Sequence, residues 1–140
     1  MVGIFYEDTG DLGLDRGFFS SWIGEIVSRE TLVLGEVNIV FTNNKKVLSI
    51  NKKHLSHNDY TDIVTLDYRV GDIVFADLFI SVDMLRFNSK KYDIKFFDEL
   101  CRVVAHGVLH VCGYKDKEGV DRAVMRKKEE ESLFLRSAFG

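Results

Sequence analysis

Two histidines, His106 and His110, stand four residues apart in the stretch Ala105–Gly119, AHGVLHVCGYKDKEG. On a helix that spacing puts both imidazoles on one face, one turn apart, where they can share a metal ion. Gly113 follows as a helix breaker, and Asp116, six residues after His110, is placed so that its carboxylate reaches the same ion. Two nitrogens and one oxygen suit Zn²⁺, and three protein ligands leave a fourth position open, as in a catalytic rather than a structural zinc site. A His pair alone is weak evidence, because histidine also serves as an ordinary core or surface polar group. The context strengthens it. The pair ends a very apolar helix, and Gly107 sits inside that helix, where glycine costs about 1 kcal/mol relative to alanine unless something must approach closely.

The familiar zinc-peptidase motif has a glutamate directly after its first histidine as general base. Here that position is Gly107. A zinc peptidase therefore lacks its base, although zinc hydrolysis of another bond stays open, since the ion by itself acidifies a bound water.

The run His106-Gly107-Val108-Leu109-His110-Val111-Cys112-Gly113-Tyr114-Lys115-Asp116 resembles the signature H-G-x-L-H-x-x-G-Y-D-H of the YbeY-type endoribonuclease and rRNA maturation family. Both histidines, Gly107, Leu109, Gly113 and Tyr114 match. Thr61-Asp62-Ile63-Val64-Thr65-Leu66 is similar to the family's T-D-V-L-S-F strand, Gly71-Asp72-Ile73-Val74 to its G-D-I strand, and Ile50-Asn51 to the L-N pair before its loop. The resemblance spans the last two-thirds of the chain in the family's order. It implies zinc-dependent cleavage of single-stranded RNA in small-subunit rRNA maturation and ribosome quality control. It also implies one Zn²⁺ per chain and rRNA and the small ribosomal subunit as partners, with ribosomal proteins as further candidates. Neither DNA nor a membrane is among the expected partners.

The chain departs from the pattern twice. The family's third histidine falls on Asp116, and the Asp before it on Lys115. Aspartate is a competent zinc ligand, and its charge holds the ion more firmly while making it a weaker Lewis acid. The arginine usually found shortly after the L-N pair falls on Leu55. His57, two residues on, is the candidate catalytic residue in its place; an exposed loop histidine is the competing reading. The missing arginine and missing glutamate keep open an alternative, a non-catalytic ribosome-assembly factor whose metal is structural.

Several elements must position these residues. Val2–Tyr6 reads as a first strand, Leu14–Arg29 as a helix with Phe18, Trp22, Ile23, Ile26 and Val27 at helical spacing, and Gly35 as the end of a loop before a strand over Glu36–Thr42. Asn43 caps a helix that turns Val47, Leu48 and Ile50 to the core. His54–Tyr60 reads as a polar loop. Thr61–Tyr68 and Gly71–Ser81 form a hairpin with a tight turn at Arg69–Gly71 and a bend near Ala76–Asp77. Asp83–Phe87 reads as a short helical turn, Ser89–Val111 as one long helix stopped by Gly113, and Val120–Ser137 as the last helix. Helix-separated strands favour parallel pairing and the tight hairpin is antiparallel. The expected fold is therefore a single α/β domain over residues 1–140: a mixed, four-stranded sheet, helices mostly on one side, and a zinc-hydrolase-like site on a central helix.

The polar residues around these elements have ordinary readings. Lys52, Lys53, His54 and His57 make a modest basic edge beside the site, and Tyr60 and Tyr114 are candidates to stack on bases, Tyr114 more simply a packing or hydrogen-bonding residue. Asp98 and Glu99 read as solvent-facing, and Lys127-Lys128-Glu129-Glu130-Glu131 as the exposed face of the last helix. One acid is expected to accept the second N–H of a metal-binding histidine.

The bulk composition agrees with this reading. Among the 140 residues, 46% are hydrophobic and 29% charged, enough for a core and for solubility. A net charge of −3 means that any RNA must be held by a local basic patch or a protein partner rather than by overall charge. Cys101 and Cys112, eleven residues apart on one predicted helix and so roughly 16 Å apart along its axis, are too distant for a disulfide. Free thiols, with no signal peptide and no apolar run of roughly 18 residues, point to the cytoplasm.

Overall fold

The computed structural model describes residues 1–55 and 61–139. Its sheet has four strands: β1 (Val2–Tyr6), β2 (Val33–Thr42), β3 (Ile63–Asp67) and β4 (Ile73–Ser81). Their order is β1-β2-β4-β3. β1 and β4 both run parallel to β2, and β3 pairs antiparallel with β4. The mixed sheet is thus the expected one, and Gly71, at φ +57°, makes the hairpin turn. β3 is an edge strand, with no strand on its other side among the described residues.

Alternation along the strands splits the apolar residues between two layers. Ala76, Leu78 and Ile80 of β4 join Val37, Ile39 and Phe41 of β2 in the main core. Covering that face are α1 (Arg16–Arg29), with Phe19, Trp22 and Ile23 fully buried, and α4 (Phe96–Val111). Asp15 caps α1 by accepting from the backbone N–H of Gly17 and Phe18. The last helix, α5 (Gly119–Phe134), is tied to α1 by Trp22 Nε1, which donates to the Ser132 carbonyl at 2.7 Å.

α2 (Asn44–Leu55) lies apart from that core. Its Val47 and Ile50 pack with Val64, Leu66 and Phe79 in a second, smaller cluster. Asn43 does cap it, accepting from Lys46 N at 2.9 Å.

Five expectations are corrected. Gly35 lies inside β2, at a register irregularity between Leu34 and Glu36 rather than in a loop. A Cβ there would come within 2.8 Å of the Ile73 and Phe75 side chains, so the close neighbour requires glycine. The pairing of β2 with β4 runs regularly through Ala76 and Asp77, without the expected bend. Asp83–Phe87 is part of a ten-residue helix, α3 (Val82–Lys91), capped by Ser81. The long helix over Ser89–Val111 is two helices. Tyr92 ends α3, Asp93 takes φ +53°, and α4 starts afresh at Phe96. The apolar spacing reads across the break because both helices pack on one core. Finally, α5 stops at Phe134 and continues as a 3-10 turn over Leu135–Ala138.

Both cysteines are free, Cys101 buried and Cys112 half-buried, and burial pushes both thiols up to about 11. Among the described residues, no helix is long and apolar enough to cross a membrane.

Candidate metal centre

α4 is the helix that carries the site. Its inner side is apolar and packs so tightly on the sheet that a Cβ at Gly107 would lie 2.7 Å from Ile63 Cδ1 and 3.1 Å from Leu78 Cδ2. That contact is the reason for a glycine in mid-helix. It also sets the last turn of α4, with its histidines, directly against β3.

The helix ends at Gly113, at φ +115°, with Gly113 N donating to His110 O and Tyr114 N to Leu109 O. This pair of bonds is the helix-terminating pattern expected of a glycine with positive φ. It turns the chain back over the histidines. His106 Nε2 then lies 3.0 Å from His110 Nε2 and 3.1 Å from Asp116 Oδ2, and His110 Nε2 lies 3.4 Å from Asp116 Oδ2. Ligands 2.0–2.1 Å from a tetrahedral zinc stand about 3.3 Å from one another. The three donor atoms fit the ion.

The other ring nitrogens decide what the triangle can hold. His110 Nδ1 is 2.9 Å from the Tyr114 carbonyl, which can only accept. His106 Nδ1 is 2.6 Å from Glu129 Oε2, a carboxylate. Each Nδ1 therefore carries the proton, and each Nε2 presents a lone pair. Two lone pairs and a carboxylate oxygen converge with no donor among them. A cation, or a proton taken up by one of the rings, relieves that arrangement. The pKa of His106 records it. Burial lowers the pKa, but the hydrogen bond to Glu129 and the charges of Glu129, Asp116 and Asp62 outweigh it, and the net shift is upward.

The supporting contacts reach three helices. Tyr114 OH donates to Glu30 Oε1 at 2.6 Å, Lys128 Nζ reaches Glu30 Oε2 at 3.1 Å, and Lys128 lies over the Tyr114 ring. Tyr114 is thus a hydrogen-bonding residue, and through it the turn bearing Asp116 is fastened to α1 and α5. Glu129 also accepts from Arg102 Nη1 at 3.2 Å, and Arg102 forms a bidentate pair with Glu99, both bonds at 2.8 Å. Asp62 lies 3.7 Å from Arg102. Its burial raises the carboxyl pKa, with Arg102 and His106 opposing.

Two of these acids correct the sequence reading. Glu99 is 1% exposed and Glu129 6%, so neither belongs to a solvated face. Asp98 is half-buried and pairs with Arg136 at 2.9 Å. The signal was present as spacing: Glu99, Arg102, His106 and His110 form one polar stripe along an apolar helix, and Glu129 falls in line with buried Met125 and Ser132 on α5. His57 and Tyr60 lie outside the described residues.

Two grooves meet at the triangle. The first, about 610 Å³, runs beside edge strand β3 and is lined by Asp62, Ile63, Thr65, Asp67 and Lys117. The second, about 540 Å³, runs between α4 and α5. Arg102, His106 and Asp116 line both.

A family model described as "Endoribonuclease YbeY" matches residues 12–135. An endoribonuclease YbeY of Azobacteroides pseudotrichonymphae is 42% identical over 120 residues, 86% of each chain. One of Flavobacterium johnsoniae is 38% identical over 135 residues, 96% of each chain. The solution structure of a Thermotoga maritima protein shares the fold, with a TM-score of 0.66 at 22% identity, over 97% of this chain and 89% of that one.

Proposed function

Because the chain belongs to the endoribonuclease YbeY family, we propose that it is a zinc-dependent endoribonuclease. Its substrate is single-stranded RNA, its role small-subunit rRNA maturation and ribosome quality control in the cytoplasm, and residues 1–140 act as one hydrolase domain. The observation that carries this reading is the convergence of His106 Nε2, His110 Nε2 and Asp116 Oδ2, three acceptors with no donor between them.

In this reading those three residues hold one zinc ion. When bound, the ion supplies Lewis acidity toward a phosphoryl oxygen and acidifies water near neutral pH. The remaining work belongs to the chain. Glu129 holds the Nδ1 proton of His106 and the Tyr114 carbonyl holds that of His110, which fixes the tautomer of each neutral ring so that both Nε2 lone pairs are aimed at one point. A third ligand that is aspartate rather than histidine adds a negative charge, which strengthens retention of a cation and weakens its acidity. Asp62 lines the same groove as the His pair and in this reading accepts a proton from water. Burial raises its pKa toward the range useful for a base.

The test begins with metal content by mass spectrometry on protein purified without added metal, wild type beside His106→Ala. About one zinc per chain is expected, and none in the variant. Cleavage of single-stranded and duplex RNA by wild type, His110→Ala and Asp116→Ala follows, with circular dichroism as the control for folding. Loss of single-strand cleavage in folded variants supports the reading. Undiminished cleavage in both, without bound metal, overturns it. A folded, zinc-loaded wild type that cleaves no RNA replaces it with the assembly-factor role.

A further inference from the structure

A single-stranded RNA carries one negative charge per nucleotide, so its route past the triangle is decided by which groove tolerates anions. The groove beside β3 is lined by Asp62 and Asp67 against Lys117. The groove between α4 and α5 is different. Arg122 and Arg126 stand four residues apart on α5, hence on one face, and both are exposed and line it. Neither side chain has a hydrogen-bond or ion-pair partner among the described residues. The carboxylates there are mostly committed: Glu99 and Glu129 to Arg102 and His106, Asp116 to the triangle. Glu130 is the one lining acid without an ion pair among the described residues. Tyr92, 61% exposed, and Ile94, 40% exposed, add apolar surface for bases. The basic residues expected at the end of α2, Lys52, Lys53 and His54, line neither groove.

Arg102 stands where the grooves join. Its guanidinium has five N–H donors. Three are used, by Glu99 twice and Glu129 once, and Asp62 at 3.7 Å is beyond hydrogen-bond distance. Two donors remain on a group held rigid by a glutamate that is 1% exposed. An ion pair with a buried carboxylate is a poor source of stability compared with apolar packing, and the Arg102 side chain is 34% exposed, which favours a role for the guanidinium itself.

We propose that the RNA strand on one side of the scissile phosphate lies in the α4–α5 groove, its phosphates bound by Arg122 and Arg126, with Arg102 contacting the phosphate at the junction. This rests on the RNA-cleaving reading above and adds the path of the substrate.

The experiment is salt-dependent binding of a fluorescent single-stranded oligoribonucleotide, read by anisotropy, with zinc content measured on every sample. Wild type is compared with an Arg122→Gln/Arg126→Gln double variant and with Arg16→Gln, an exposed arginine outside both grooves. Each lost phosphate contact lowers the slope of log affinity against log salt by about 0.7, and so weakens binding roughly 5-fold at 0.1 M salt. The double variant should lose about 1.4 from the slope and roughly 25-fold in affinity. Its KM should rise while kcat and zinc content stay at wild-type values. Arg16→Gln should match wild type. An unchanged slope in the double variant, with a wild type that binds and cleaves, overturns the proposed path and leaves the enzymatic reading intact. A zinc-loaded wild type that neither binds nor cleaves RNA overturns both.

Discussion

Glu129→Gln tests whether a buried carboxylate on α5 tunes the metal centre. Both oxygens of Glu129 face donors: Oε2 lies 2.6 Å from His106 Nδ1, and Oε1 accepts from Arg102 Nη1 at 3.2 Å. A glutamine of the same shape offers one acceptor and one NH₂, so with His106 in the Nδ1–H tautomer that metal binding requires, one contact becomes donor against donor whichever way it turns. The side chain is 8% exposed, which leaves water little room to relieve the clash. Losing a charge-assisted hydrogen bond of this kind costs about 1.5–3 kcal/mol. Part of that falls on the folded protein with or without metal. The rest falls on the metal, because His106 becomes a weaker and less firmly aimed ligand; substitutions at such supporting positions weaken metal binding roughly 10–100-fold. The assay is competition with a chromogenic chelator at fixed pH, with thermal melts of metal-free and zinc-loaded protein. The expected variant is folded, melts lower, and binds zinc at least tenfold more weakly. Glu130→Gln, one residue on and exposed, should behave as wild type. A folded Glu129→Gln protein with zinc affinity within twofold of wild type would refute the argument that this hydrogen bond supports the site.

Three further outcomes are expected. Gly107→Ala gains about 1 kcal/mol in helix propensity but forces a methyl to within 2.7 Å of Ile63 Cδ1, an overpacking that costs about 1–3 kcal/mol; urea denaturation should show a net loss of stability, and a net gain would contradict the close helix–sheet contact. Glu30→Gln removes the charged acceptor of Tyr114 and Lys128 and should lower stability by about 1–2 kcal/mol while loosening zinc several-fold, read by the same melts and chelator titration. The third outcome concerns pH. The folded pKa of His106 lies above its ordinary 6.5, so in metal-free protein its stabilising contribution is fully present below 6.5 and is lost as pH rises through the raised folded value. Zinc requires the unprotonated ring, so protons compete. The increase in Tm on adding zinc should therefore shrink as pH falls through the raised value, and His106→Ala should abolish both trends in melts followed from about pH 5 to 9.

Local chemistry made the strands, most helix starts and the clustering of His106, His110 and Asp116 legible in the sequence. The His pair, the helix-stopping Gly113 and Asp116 lie within eleven residues, so backbone geometry alone brings them near one another. The odd placement of Gly107 already implied a close neighbour. Side-chain alternation likewise separated the hairpin from the helices. The break at Asp93 was not legible, because residues on both sides of it pack on the same core and keep one apolar rhythm.

What the sequence could not decide is which charged residues are buried. Glu99 and Glu129 carry the composition of a solvated surface, and Lys127–Glu131 reads as one. Burial of a carboxylate depends on a partner brought from elsewhere in the chain. Arg102 neutralises both acids, and His106 takes the free oxygen of Glu129 across 23 positions of sequence. The sequence by itself determined which atoms can bind a metal. The packing of α5 against α4 decided how those atoms are aimed, since hydrogen bonds between distant segments form only once the core has set the two helices side by side.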